Sequence, residues 1–337
     1  MTLAARWQYY RRIVPAYLGA GDSQLTFWHE TPELNPHASS ARLGPYYMRF
    51  RQKADYTGPC DAAGIPLLHY RGAIGLQYNP IAIAQWGLAN CNLFYRTLEK
   101  SRQEKFLKAA DWLVANLRQN SYGLWVWNHN FDWEYRTTLR TPWYSGLAQG
   151  QGVSLLLRAY AETHNEKYAE AANLGFVSLT KPIAEGGVLI EDQERNLWIE
   201  EYIVDPPTHI LNGFIWALWG VFDYWLTTDG GANSPAREYP TSIAREVFDR
   251  GVRTLLRNLD RYDTGYWSLY EQSGTRLKML ASPFYHRLHI VQLRVMALLT
   301  GDAFFTNFAE KWQRYANRPA NRARALVEKS TFKLLHY

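Results

Sequence analysis

From Asn79 onward, apolar residues recur at the helical period in segments that come in pairs, and this recurrence limits the fold more than any other feature. The spacing predicts helices over 80–98, 102–119, 144–163, 166–180, 207–227, 236–258, 284–299 and 303–316. So many helices leave little room for a large sheet. An amide lies early in every odd-numbered segment, at Gln85, Gln149, Asn212 and Gln292, and small residues follow at Gly87, Gly152, Ala217 and Ala297. The spacing is nearly constant except for the last interval, which an insert at 227–235 lengthens. A recurring helix pair implies units that bury one another's faces. We therefore expect a mainly α fold, an incomplete α/α toroid of about four helix pairs, with odd helices inside and the amides at its mouth. The same amides also suit plain helix caps, and both readings stay open. Short Gly-led pieces at 123–127, 187–190 and 265–270 are expected as β-hairpins between the pairs.

Residues 1–75 are irregular. A basic aromatic stretch at 6–18 suits one amphipathic helix, and turn formers dominate after it. Pieces at 46–50 and 67–70 are expected to pair as small strands. The expected division is an N-terminal arm over 1–75 that wraps a helical domain over 76–337.

Composition closes other routes. Two cysteines, Cys60 and Cys91, exclude a disulfide framework and a Cys-based zinc pattern. The net charge of +6 favours an acidic partner, while its scattered basic residues argue against nucleic acid. The longest uncharged apolar run, 213–222, is too short to cross a bilayer, which needs about 20 residues. Residues 1–20 hold no apolar signal core, so a cytoplasmic location is expected unless a leader preceded the chain. Aromatic residues make up 15% of the chain, and Trp and Tyr suit either core packing or the faces of sugars.

Two clusters carry chemistry. In the first, Trp198, Ile199, Glu200, Glu201 and Tyr202 precede Pro206, Pro207, Thr208 and His209, then Leu211, Asn212, Gly213 and Phe214. Adjacent carboxylates commonly sit on a solvated surface, but their aromatic flanks favour a cavity wall. In the second, Tyr270 and Glu271 precede Tyr285, His286 and His289. A histidine beside a tyrosine can lower the phenol pKa by offering charge or a hydrogen bond. Both histidines also suit a structural role, and with no HExxH pattern no metal is assigned. Asp132, Glu134 and Glu201 keep an inverting hydrolase open.

The run from Trp143 through Gln151 to Tyr160, the 198–202 block with 211–214, Tyr285–His286 with His289 and Gln292, and Asn79–Pro80 with Gln85 resemble the D-glucuronyl C5-epimerase family. The resemblance implies a toroid and the conversion of glucuronate to iduronate in heparosan or heparan-type polymers. It implies no nucleotide cofactor. Its acid–tyrosine pair falls on Glu201 and Tyr202 and its later tyrosines on Tyr270 and Tyr285. Glu201 and Tyr285 are expected to serve the two faces of the ring, with Tyr202 and Tyr270 as hydrogen-bonding partners. Tyr144, Gln149, Gln151, Trp198, Asn212 and His286 are expected to hold substrate. Ser273 stands where the animal enzymes carry an arginine, and Arg276 or Lys278 is the expected replacement. The animal enzymes' N-terminal β domain with its calcium site does not fit into 1–75, so no metal carries over. The family's tendency to dimerise suggests a homodimer through the aromatic arm at 7–50. Rival readings are a uronate lyase on the same toroid, an inverting glycosidase and a polysaccharide-binding protein without activity.

Overall fold

Polar side chains cap five of the long helices, three of them directly ahead of Pro or Gly. Asn79 accepts from the backbone of Ile81 and Ala82 and precedes Pro80, which opens α2 (Pro80–Thr97) after the short α1 (Arg51–Ala54). Ser145 caps α4 (Gly146–Thr163) and Asn165 caps α5 (Glu166–Val177). Ser282 and Asp302 do the same for α8 (Pro283–Thr300) and α9 (Ala303–Asn317). The remaining helices are α3 (Lys100–Asn116), α6 (Leu211–Thr228), α7 (Thr241–Asn258) and α10 (Pro319–His336). The computed structural model describes residues 27–28, 30–70, 72–228, 241–274 and 278–336. The fold is mainly α. Among the described residues no helix is long and apolar enough to cross a membrane.

The connections within the pairs repeat. α2 to α3, α4 to α5 and α8 to α9 each turn through a left-handed residue, Leu98 (φ 58), His164 (φ 53) and Gly301 (φ 71). Its N–H bonds the carbonyl four residues back, at Phe94, Tyr160 and Ala297 respectively.

The chain divides into two compact units. One holds Asn35–His209 and Gly213–Leu255, and the other Met1–Leu34, Ile210–Asn212 and Leu256–Tyr337. In the first, α2 packs on α3, α4 on α5, and α2 on α4. Gln85 on α2 reaches Gln151 on α4, and further along Gly87 meets Leu155. Gly150 on α4 lies against Ala217 and Gly220 on α6, and Arg158 later meets Asp223. Contacts that advance in step on both helices mean α2, α4 and α6 run parallel, with their N-termini at one end. A Cβ on Gly150 would stand 2.6 Å from the Ala217 Cα, so the close crossing requires glycine.

The short strands lie between the helices. β1 (Leu68–Tyr70) pairs with β2 (Gly75–Gln77), and β8 (Leu189–Glu191) with β9 (Leu197–Ile199), both antiparallel. β3 (Leu117–Gln119), β4 (Trp125–His129) and β7 (Trp143–Tyr144) form one antiparallel sheet, and β5 (Trp133–Glu134) pairs with β6 (Thr138–Leu139).

Several expectations shift. α3 ends at Asn116 because 117–119 enters the ladder opposite 125–127. The 46–50 piece forms no strand. Asn35 and Asn92 tie its backbone to α2, and Phe50 turns left-handed (φ 50) ahead of α1. α6 starts at Leu211 because Pro206 and Pro207 lack an N–H and His209 turns left-handed (φ 48). In the second unit, 265–270 makes isolated bridges, Asp263 with Ser268 and Leu269 with Leu280. α10 escapes sequence reading because its pattern is weakly apolar. It docks through Ala325 and Phe332, with the Lys329 Nζ donating to the Leu280 carbonyl at 2.6 Å. The segments 6–18 and 236–240 lie outside the described residues.

A buried ion pair joins α4 to α6. The Arg158 guanidinium donates to the Asp223 carboxylate at 2.6 and 3.1 Å, to the Ser154 carbonyl at 2.9 Å and to the Gly44 carbonyl at 2.7 Å. The Tyr47 hydroxyl donates to Asp223 at 2.6 Å, and the guanidinium lies over the Tyr46 and Tyr47 rings. Burial, then the Asp223 charge, pushes the Tyr47 phenol up, so it stays protonated and donating.

Two predictions come from these features. Leu98 is 75% exposed and left-handed, so Leu98→Gly removes strain at no packing cost. It is expected to stabilise by about 0.5–1 kcal/mol, seen as a higher urea midpoint. Asp223→Asn leaves the Arg158 charge buried without its partner and is expected to cost about 3–5 kcal/mol. Tyr47→Phe, which removes one donor only, is expected to cost about 1–2 kcal/mol in the same measurement.

Candidate functional site

The first cluster sits where the N-termini of α4 and α6 meet the end of β9. The Glu200 carbonyl accepts from the Gly146 N–H at 2.9 Å, and the Glu200 N–H donates to the Val188 carbonyl at 2.9 Å. A Cβ on Gly146 would stand 2.6 Å from the Ile199 Cγ2 and 2.7 Å from the Glu200 carbonyl oxygen. Glycine at 146 is therefore what lets the acidic segment press onto α4. Gly213 does the same on α6, since a Cβ there would overlap the Glu201 carboxylate and stand 2.6 Å from its Cβ. The Glu201 carboxylate thus lies against the first turn of α6, whose positive end favours an anion.

The adjacent carboxylates have different surroundings. Glu200 is fully buried, and its Oε1 lies 2.5 Å from the His209 Nδ1, while Oε2 accepts from the His209 N–H at 3.2 Å. The His209 ring stacks on Trp198 at 4.3 Å. The Trp198 Nε1 donates to Asp192 at 2.9 Å, and only 1% of the side chain is exposed. Glu200 is therefore a locked structural acid. Glu201 is buried on the turn of α6 and belongs to the face that continues to Tyr202.

Tyr202 joins an aromatic cluster. Its ring lies 4.6 Å from Tyr135 and 5.7 Å from Trp143, in a group with Phe131, Trp133 and Tyr70. Behind Trp143 the His129 ring stacks at 3.9 Å, and burial pushes its pKa down to about 3. The Tyr70 hydroxyl accepts from Asn79, the cap of α2.

Several expected substrate residues have their polar atoms occupied by the fold. The Gln149 amide accepts from the Trp127 N–H and donates to the Trp127 carbonyl, fixing β4. Gln151 is buried and accepts from Gln85 at 3.1 Å. The half-buried Tyr144 donates its hydroxyl to the Gly186 carbonyl at 2.8 Å.

The second cluster belongs to the other unit. The Tyr270 and Tyr285 rings meet at 4.8 Å, edge to face. The Tyr270 carbonyl accepts from the Leu211 N–H, and the Asn212 carbonyl accepts from Gln292 at 2.8 Å. His286 is buried and stacked on Trp267 at 3.8 Å. Its Nε2 donates to the Trp312 carbonyl at 3.1 Å, which leaves Nδ1 to accept from the Ser268 N–H. The Ser268 Oγ lies 2.8 Å from the His286 Nδ1 and 3.0 Å from the His289 Nδ1. Burial, above all, pushes the His286 pKa down to about 3 and His289 well below its ordinary range. His286 is thus neutral at ordinary pH and offers no positive charge to Tyr285. It ties the 268–270 segment to α8 instead. Arg276 lies outside the described residues.

Sequence reasoning placed His209 in the first cluster without a role, and it missed His129 and the Arg158–Asp223 pair. Each lies far in the chain from its partner or beside it through an irregular turn, so no periodic signal marks it.

Comparison with known proteins adds a lineage to this geometry. Residues 119–314 match the family described as D-glucuronyl C5-epimerase C-terminus. A D-glucuronyl C5-epimerase of Caenorhabditis elegans is 34% identical over 216 residues, which cover 63% of this chain and 35% of that protein. An uncharacterized protein of Methanocaldococcus jannaschii is 28% identical over 213 residues, covering 62% of this chain and 64% of its own length. This chain therefore aligns with only about a third of the nematode protein.

The buried histidines generate a pH prediction. His129 and His286 have folded values near 3 against an ordinary 6.5, so the unfolded chain binds protons that the folded chain refuses. Their contribution is complete above pH 6.5 and is lost as the pH falls towards 3. At about pH 5 each is expected to cost its unit about 2 kcal/mol, read from urea midpoints, and His286→Asn should flatten that slope. Midpoints unchanged between neutral pH and that point would contradict the assignment.

Proposed function

We propose, from the premise that this chain belongs to the family of the D-glucuronyl C5-epimerase C-terminus, that it inverts C5 of glucuronate units in an acidic, heparosan-type polysaccharide to give iduronate. The observation that carries the reading is the seat of Glu201. An acid followed by a tyrosine is pressed onto the first turn of α6 by a glycine that leaves no room for a side chain. The family match covers this pair and both later tyrosines.

The chemistry explains why such residues are wanted. Taking the C5 proton builds negative charge beside a carboxylate that is already anionic, so the site must stabilise that charge with hydrogen bonds or cations. The proton leaves one face of the ring and returns to the other, so two acid/base groups are required. In this reading Glu201 is one and Tyr285 the other. Tyr202 and Tyr270 tune them by hydrogen bonding, and Asn212, Arg276 and Lys278 are candidates for the substrate's polar groups. Trp198, Gln149, Gln151, Tyr144 and His286 contribute by holding the segments that carry these residues. The same reading includes the α/α toroid as the arrangement of the helix pairs, with 76–337 as the catalytic region.

The test is incubation with heparosan in heavy water. Deuterium is expected at C5, with no gain in the ultraviolet absorbance of an unsaturated uronate. Glu201→Gln and Tyr285→Phe are each expected to lower exchange by about 10²–10⁴-fold. Chain cleavage with that absorbance would make the protein a lyase, and new reducing ends without deuterium would make it a hydrolase. Binding without exchange would reduce it to a lectin-like role.

A further inference from the structure

The chain that links β9 to α6 starts at Glu200 and reaches His209 nine residues on, and these two residues are bonded to each other. The Glu200 Oε2 accepts from the His209 N–H at 3.2 Å, and its Oε1 lies 2.5 Å from the His209 Nδ1. A carboxylate oxygen accepts, so the ring nitrogen that faces it carries the hydrogen. The ring is also held by its face, stacked on Trp198 at 4.3 Å. His209 is left-handed (φ 48), a backbone that histidine and asparagine take more readily than most side chains. With that turn, its ring and its own N–H reach one carboxylate. Glu200 is fixed through its backbone as well, its N–H donating to the Val188 carbonyl and its carbonyl accepting from the Gly146 N–H, both at 2.9 Å.

Between the two bonded residues runs the segment 201–208, in which Tyr202, Ile203 and Val204 are half-buried and Asp205 and Pro206 are exposed. Joined at its neck, it is a compact loop whose ends are held together. Glu201 is the first residue of that loop. Four positions beyond His209 lies Gly213, where a Cβ would stand 2.6 Å from the Glu201 Cβ. The bonded pair therefore controls both sides of the Glu201 seat. On one side it anchors the residue from which Glu201 extends, and on the other it sets how the chain enters the turn under the carboxylate. We infer that His209 is a positioning residue for Glu201, acting through Glu200 and not on the substrate. An acid/base group must meet its proton within hydrogen-bond reach, and a misplacement of about 1 Å can cost about 100-fold in rate. A carboxylate moved off the turn also loses the favourable helix end. The catalytic consequence rests on the epimerase reading, whereas the placement of Glu201 does not.

The test uses the full chain and three substitutions, each assayed with heparosan in heavy water and each crystallised. His209→Gly keeps the left-handed backbone without strain but loses the ring bond. His209→Asn also suits that backbone and restores a side-chain donor to Glu200. Glu200→Gln, which turns an amide donor towards a donor, weakens the pair from its other side and serves should His209→Gly fail to fold. For His209→Gly, kcat for deuterium uptake is expected to fall roughly 30–100-fold while KM stays within about twofold. Glu200→Gln should show the same split at roughly tenfold, and His209→Asn should return to within about fivefold of the native rate. In crystals, Glu201 is expected about 1 Å or more off its seat in His209→Gly and back on it in His209→Asn. A merely structural role would lower the urea midpoint and leave kcat of the folded protein unchanged. A native rate or an unmoved Glu201 in His209→Gly or Glu200→Gln would overturn the inference, and so would a His209→Asn variant as slow as His209→Gly. If the native protein takes up no deuterium, the epimerase reading falls, and the seat of Glu201 in the crystals alone decides for or against His209.

Discussion

The pairing of Arg158 with Asp223 is the interaction on which the first unit depends. Two charges removed from water are tolerable only when each finds its full set of partners. Here one guanidinium serves a carboxylate, two carbonyls and two aromatic faces. The partners come from α4, α6 and the 44–47 segment, so the chain cannot satisfy the pair without bringing all three together. The register of α4 on α6 follows. With Arg158 opposite Asp223, Gly150 meets Gly220 and Ala217, where nothing larger fits. The N-terminal turns of the two helices then arrive at the same end of the unit.

That end is where the acidic segment rests. Gly146 and Gly213 each remove the one atom that would hold it off, and the two helices take Glu200 and Glu201 from either side. The fold then spends the two carboxylates differently. His209 and Trp198 close over Glu200, whereas Glu201 stays on the helix turn beside Tyr202. In the other unit, neutral His286 and Ser268 bind the strand-like 268–270 segment to α8, which sets the Tyr270 ring against Tyr285. Much of the polar machinery near the candidate groups is thus scaffolding.

Legibility followed range. Helices with local caps were readable to within a few residues, because Asn79–Pro80, Ser145 and Ser282–Pro283 act on their own first turns. The start of α6 was misplaced because its delay depends on His209 reaching Glu200. The end of α3 was overrun because 117–119 becomes strand only when 125–127 is beside it. α10 was missed because its docking face, Ala325, Lys329 and Phe332, looks ordinary until the surface under it exists.

The sequence by itself determined the helical period, the caps and the motifs that mark the family, since all act over a few residues. It also supplied the residue types the chemistry needs. Only the tertiary structure decided which of two adjacent glutamates is locked and which lies on the helix turn. It also decided that Gln149 is tied to the Trp127 backbone and that Gln85 is buried against Gln151. The physical reason is the same in each case. Burial and pairing are properties of what surrounds a side chain, and in this protein those surroundings come from parts of the chain far apart in sequence.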